Sequence, residues 1–397
     1  MKKGTILIAV LIMILFMSLL VATLLLLVTQ ARILGERYNN STQAIELAES
    51  GVEYAIWEMN YGNNDFKGVD GWSGTNPKTK TINDFHDGGG NIYGNISISV
   101  TDPMTADQKI VSTGTVIPNT GPAISRIVRV EVKGQAYFRH GILTSGTIKM
   151  SGGAFTDSYN SVTGGTGLGN GDVVTNGSSS SIITMSGGSH VYGNAATGPG
   201  GTIGMSGGST VASQSHSANE QLSPITAPAS LQGLPSEGSL NLSKTITGDH
   251  NYSNINLSGG KIVTITGNTN IYVTDQITLS GGSRIDVALG GISNVYVNGN
   301  VAFSGGSKVN NATKKPLSFN LWATNNCTTM NLSGGFDYYG TVYAPNANLN
   351  LSGGTKVFGS VVGKTADLSG GGVVHFDENL LTASPIYSVV PFVWQEK

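Results

Sequence analysis

Near the C-terminus, Gly359-Ser-Val-Val-Gly-Lys-Thr365 carries the residue types that cradle phosphate: two glycines, a lysine and a hydroxyl. A phosphate-binding loop needs four residues between its glycines and a helix opening after the Lys-Thr pair, so that backbone N–H groups and the helix dipole converge on the anion. Here three residues separate Gly359 from Gly363, and Thr365 leads into Ala-Asp-Leu-Ser-Gly-Gly371, a turn sequence with no helix start. The spacing therefore excludes a nucleotide site.

Other ionisable groups are equally unsuited to chemistry. Asp84, His86 and Asp87 are close enough in sequence to suggest a metal, but they lie in a polar, Gly-rich stretch with no fourth ligand nearby, which reads as a solvated loop. Gly164-Gly-Thr-Gly-Leu-Gly169 has glycine where a calcium-binding nonapeptide needs aspartate. Hydrolysis or lyase chemistry on polysaccharide needs two or three converging carboxylates, or aspartate-held calcium beside a base. Asp249, Asp275, Asp286, Asp337, Asp367 and Asp377 are scattered, and His250 and His375 are single residues far apart. Asp377-Glu378 beside His375 is the densest ionisable group, and it is expected to mark a turn. Cys327 stands alone and reads as a small buried apolar residue. No catalytic residue, metal site or cofactor is assigned.

The residues that do recur are architectural. A hydrophobic residue followed by Ser-Gly-Gly occurs nine times, with the serine at Ser151, Ser186, Ser206, Ser258, Ser280, Ser304, Ser333, Ser352 and Ser369. The intervals are 35, 20, 52, 22, 24, 29, 19 and 17 residues, most of them near one period of about 20. Ser283-Arg-Ile285, Ser307-Lys-Val309 and Thr355-Lys-Val357 each follow a Gly-Gly pair with hydroxyl, base and branched apolar residue. In extended chain that apolar residue and the one before the serine point to the same side. One such unit cannot bury its apolar positions alone, whereas stacked units can. The pattern predicts a right-handed-type parallel β-helix whose corners are the nine Ser-Gly-Gly turns. At about 4.8 Å per coil it would form a rod of roughly 43 Å. Residues 161–220 are dense in Gly, Ser, Thr and Asn and read as an irregular coil or flexible tract. Pro224, Pro228 and Pro235 read as a spacer leaving the rod, and Ile386–Trp394 as a segment covering a coil end or face.

The amino end has a different character. From Ile6 to Val28 only Ser18 and Thr23 interrupt an apolar run of about 23 residues, or roughly 34 Å of helix, enough to cross a hydrocarbon core of about 30 Å. Lys2 and Lys3 before it favour a cytoplasmic start and an exported remainder. The helical pattern then continues through Leu34, Tyr38, Ser41, Ile45, Ala48, Val52, Ala55 and Met59, with Glu46, Glu49 and Glu53 opposite. Together the two halves predict a helix of roughly 55 residues, about 80 Å long. Beyond it, alternation at Ile96, Ile98, Val100 and again at Val128, Val130, Val132, with Lys109–Gly114 between, predicts an antiparallel sheet against the helix seam. Net charge is −2 with no basic cluster, which excludes a nucleic-acid partner.

Lys2-Lys3-Gly4 before the apolar run resembles the leader of type IV pilins, which implies cleavage between Gly4 and Thr5. Ala48-Glu-Ser-Gly-Val-Glu-Tyr-Ala55 resembles the end of the N-terminal helix in PilX-type minor pilins and related pilus-assembly proteins. Major pilins carry glutamate five residues past the cut, where this chain has Ala9, so the resemblance implies a minor or tip role. Tyr339-Gly-Thr-Val-Tyr-Ala-Pro-Asn-Ala347, Leu351-Ser-Gly-Gly354, Val361-Val-Gly-Lys364 and Phe376-Asp-Glu378 resemble a β-helical C-terminal region that accompanies such N-termini.

The expected chain is mainly β. It has a leader-like peptide at 1–4, a transmembrane helix at 5–30, its amphipathic continuation at 31–60, a pilin-like β segment at 61–138 that with the helix makes a small α+β unit, and the β-helix repeat domain at 139–397, with a loop or spacer at about 215–240. The expected function is a membrane-anchored pilin-like structural protein of a type IV pilus or related filament. It would be single-pass in the cytoplasmic membrane, with an exported rod for surface recognition or adhesion. Its partners would be the membrane, other pilin-like subunits through the helix, and surface glycans. The alternatives are a cell-surface polysaccharide-processing β-helix enzyme and a bactofilin-like polymerising scaffold.

Overall fold

The computed structural model describes residues 2–61, 71–86, 92–102, 107–118, 121–383 and 386–396. They form two compact units, one of residues 1–135 with 386–397 and one of 136–385.

The first unit begins with helix α1, Lys2–Tyr61, 60 residues long. Its apolar half is bare: Leu7 is 67 % and Leu27 70 % exposed, with every large residue between them open as well. Ser18 and Thr23 donate their hydroxyls to the carbonyls of Leu15 and Leu20, so neither leaves a polar group unsatisfied along this stretch. The helix is long and apolar enough to cross a membrane.

Burial starts only at Ala44. Leu34 and Tyr38, predicted to belong to the seam, are exposed, and the packed face runs through Ala44, Leu47, Ala48, Val52, Ala55 and Met59. These small residues lie on an antiparallel sheet of β1 (Lys78–His86), β2 (Ile92–Thr101), β3 (Asp107–Val116) and β4 (Ile124–Ala136). Inward-facing Ile96, Ile98, Val100, Ile110, Val128, Val130 and Val132 complete the core. The approach is close enough to need glycine on both partners. A Cβ on Gly51 would stand 2.2 Å from Ser112 Oγ, and one on Gly114 would stand 2.2 Å from the Ala44 carbonyl. Asp84 and His86 lie in strand β1, where a loop was expected; Asp87 falls outside the described residues.

The fifth strand of this sheet, at its edge next to β4, is Ile386–Glu396. This corrects the expectation that the C-terminal stretch covers a coil. Pro391 lacks a donor, and an edge strand is where a sheet tolerates that.

The second unit is one large sheet, parallel except where Phe155–Tyr159 pairs antiparallel with Thr166–Leu168, with strands of 2 to 16 residues. Each repeat pairs in register with the repeats beside it, and the residues preceding the motif serines form one inward column: Leu257, Leu279, Phe303, Leu332, Leu351, Leu368, Met150, Met185, Met205. The order in space is not the order in sequence. The last repeat pairs with the first: Ala366, Asp367 and Leu368 face Ile148, Lys149 and Met150, and Val373–Asp377 face Phe155–Tyr159. From Ser258 the ranks therefore run to Ser369, continue into Ser151 and end at Ser206. It is a circularly permuted stack.

The tract 161–220, expected to be irregular, contributes the strands Val173–Thr175, Ile183–Met185, His190–Ala196, Ile203–Met205 and Thr210–Ser215. Most are three residues long, too short for alternation to show among so many Gly and Ser residues.

Candidate functional site

The permutation needs a return connection, and residues 216–238 supply it. Where a spacer leaving the repeats was expected, this strap lies on their outer face. The register brings Ala196, Val174, Leu143, Val362, Tyr343, Trp322 and Tyr296 into one outward column. Outward apolar residues are covered or costly. Tyr137 and Phe138 lie over Trp322 with ring centroids at 5.1 and 5.4 Å, and Ala218, Leu222 and Ile225 of the strap pack into the same cluster. Tyr343 Oη donates to the Ser223 carbonyl at 2.8 Å.

Polar latches hold the strap at both ends. At its start, His140 lies between two carboxylates, its Nδ1 3.8 Å from Asp172 and its Nε2 3.4 Å from Glu220, with Arg139 3.6 Å from the other Glu220 oxygen. Burial alone would lower the His140 pKa, but the two carboxylates outweigh it and the net shift is upward. His140 in turn holds Glu220 below its usual range against the opposing effect of burial. At its far end Glu237 receives His250 Nδ1 at 2.5 Å and Lys244 Nζ at 2.9 Å, and the Lys244 Nζ also reaches Tyr252 Oη at 3.2 Å. Glu237 raises the Lys244 pKa, the opposite of what a lysine base requires.

The signs set a pH window. A raised histidine pKa contributes stability that is complete below its ordinary 6.5 and is lost as pH rises through the higher folded value. A lowered carboxylate pKa contributes above its ordinary 4.5 and fails as pH falls through the lower one. The strap is therefore held best between those two ordinary values. Amide exchange in residues 218–225, corrected for intrinsic rates, is expected to be slower at pH 6 than at pH 9, and His140→Gln is expected to flatten that difference.

His375, Asp377 and Glu378 form a joint between the last repeat and the first. His375 Nδ1 is 2.5 Å from Asp157, and its ring stacks on Phe358 at 4.5 Å. Asp377, 1 % exposed, accepts the Ser161 backbone N–H at 2.9 Å and its hydroxyl at 2.6 Å. Glu378 accepts Ser158 Oγ at 2.9 Å and Asn170 Nδ2 at 2.7 Å. Among the described residues no hydroxyl bonds to His375, so the cluster lacks the nucleophile–base pair of acyl transfer. Its carboxylates are occupied by the hairpin that they fasten. Burial beside Asp377 also pushes the Tyr159 phenol above its ordinary range.

The remaining aspartates stay apart. Asp249 ends a ladder of amides in which Asn270 donates to it at 2.9 Å, Asn294 to Asn270 at 3.1 Å and Asn320 to Asn294 at 3.1 Å. Asp286 pairs with Arg284 at 2.9 Å. Gly359–Thr365 lies inside the strand Lys356–Leu368, paired with Asp337–Ser352 on one side and with the repeat at 142–150 on the other, so its amides belong to a ladder. Cys327 is buried, and burial pushes its thiol up to about 11. Among the described residues no three His, Cys, Asp or Glu side chains are grouped to hold a metal ion.

Of the motif serines, Ser151 N donates to the Leu368 carbonyl, Ser280 N to Leu257 and Ser304 N to Leu279, and Ser333 also donates its hydroxyl to the Phe303 carbonyl at 3.0 Å. Fully buried hydroxyls come instead from the residue after the glycine pair, Ser189, Ser283, Ser307 and Thr355. Ser283 Oγ and Ser307 Oγ donate to the carbonyls of Leu257 and Leu279, both at 2.9 Å. Their recurrence after Gly-Gly was the available signal. His140, Asp172 and Glu220 carried none, because nothing in the spacing says that the strap returns past them.

Residues 232–383 match a family described as a domain of unknown function (DUF7305). No curated protein matches the chain. Among solved structures, the competence-associated pilin ComZ from Thermus thermophilus is similar at 13 % identity, over 90 % of this chain and 97 % of that one, with a TM-score of 0.23. A score at that level assigns no shared fold.

Proposed function

We propose that the protein is a membrane-anchored, pilin-like structural component of a type IV pilus or related filament, in a minor or tip role, with the prepilin leader cut between Gly4 and Thr5. The observation that carries the proposal lies within the first unit: one 60-residue helix, bare and apolar at its start and laid through Ala44, Ala48 and Gly51 on an antiparallel sheet. An apolar half-helix wants lipid or other helices of its kind, and the packed half fixes a small head to it. The repeats are taken to wind as a parallel β-helix, which the rank-to-rank pairing supports, and to serve surface recognition or adhesion through amide- and hydroxyl-rich outer ladders that suit glycans. The test is mass spectrometry of the mature N-terminus, together with protease accessibility of residues 136–385 on intact cells. A start at Thr5 and cleavage from outside are expected. An intact Met1 start with an inaccessible repeat domain would overturn the proposal.

A further inference from the structure

The two ends of the permuted stack are finished differently. At one end the strand Lys244–Tyr252 is covered: the one-turn helix Ala229–Gln232 packs on it, Leu231 is 1 % exposed, and inward-facing Ile246 is 2 % exposed. Glu237 N also donates to the Asn251 carbonyl at 2.7 Å, closing part of that edge. At the other end the strands Ile203–Met205 and Thr210–Ser215 pair with the preceding repeat on one side only. Their inward positions lie open. Met205 is 43 % exposed where its column neighbours Met150 and Met185 are 1 and 2 %, and Ile203 and Val211 are only half-buried.

Unpaired edges are ordinarily blunted by charge, proline, bulges or a cover. This one has no cover among the described residues, and from Val173 to Asn219 the chain contains no Asp, Glu, Lys or Arg. A partner chosen by charge would find nothing to read. A second copy brings the same uncharged edge, and two-fold pairing lays that edge against itself, residue i on j and j on i, so a charge on it would be brought toward its own copy while an uncharged edge meets no repulsion. We infer that the open edge at 203–215 is a self-association surface, joining two copies of this chain edge to edge through backbone pairing and burial of Ile203, Met205 and Val211. The inference rests on the stacked order of the repeats, not on the pilus assignment, so a wrong N-terminus leaves it standing.

Buried Cys327 makes introduced cysteines selective reporters. In the full chain in detergent, Ala212→Cys is expected to give an intermolecular bismaleimide cross-link, and Thr247→Cys at the covered end is expected to give at least tenfold less. Adding Val211→Lys, or the milder change at exposed Gln214→Lys, should abolish the Ala212→Cys dimer by placing like charges together. Absence of the dimer, equal yield from Thr247→Cys, or a dimer unchanged by both lysine variants would overturn the inference.

Discussion

Gly359→Ala is expected to destabilise the repeat unit by about 3 kcal/mol or more, whereas Lys364→Ala is expected to change stability by no more than about 0.5 kcal/mol. Gly359 has φ +149°, and a Cβ there would lie 2.1 Å from the Gly340 carbonyl oxygen and 3.2 Å from Pro316 Cβ. Neither neighbour can give way, since Gly340 is its rank partner and Pro316 opens the buried turn before Phe319. Lys364 is exposed on the same strand. Were the stretch a phosphate loop, the lysine would carry the larger effect, on nucleotide affinity. Native-state hydrogen exchange of the amides at 340–344 in the detergent-solubilised chain reads the difference.

Trp322→Ala is expected to be as damaging and to act on the strap. The indole is 5 % exposed although it points out of the sheet, because Tyr137, Phe138 and Tyr343 enclose it and its Nε1 donates to Asn294 Oδ1 at 3.4 Å. Removing it leaves a cavity worth about 3–5 kcal/mol beneath Leu222 and Ile225. Limited proteolysis is then expected to cut within 216–227, and the parent chain is expected to resist there. Trp394→Ala, at a residue 41 % exposed, should leave that pattern unchanged.

These two positions show what could be read in the sequence. Gly359 belongs to a motif stretch whose failed spacing already pointed to architecture, and the Ser-Gly-Gly recurrence exposed the inward column because identical neighbours leave identical residues. Ile96, Ile98, Val100 and the Val128–Val132 alternation were legible for the same reason: period two with one polar face has a single structural solution. Trp322 was not legible. It sits at an outward position of its strand, and the segment covering it lies about a hundred residues earlier in a proline-punctuated stretch without periodicity. Nor was the permuted order legible, since every rank carries the same motif and any neighbour would satisfy it. What orders them are single contacts: Asp377 with Ser161 and Glu378 with Asn170. Neither repeats, so no period betrays them. The spacing carries the seam of α1 too far back, to Leu34, because helical periodicity continues unchanged from the packed half into the exposed half.

The permuted stack itself is open to one direct measurement. Lys149→Cys and Asp367→Cys, placed together, occupy register partners of the first and last repeats. Adjacent ranks put the two backbones about 5 Å apart, whereas nine ranks in chain order would separate them by roughly 38 Å. Rapid intramolecular closure by a short cross-linker, with spin labels reporting close contact, is the expected result. No closure, with labels near the longer distance, would contradict the order of ranks on which the strap, the joint and the open edge all depend.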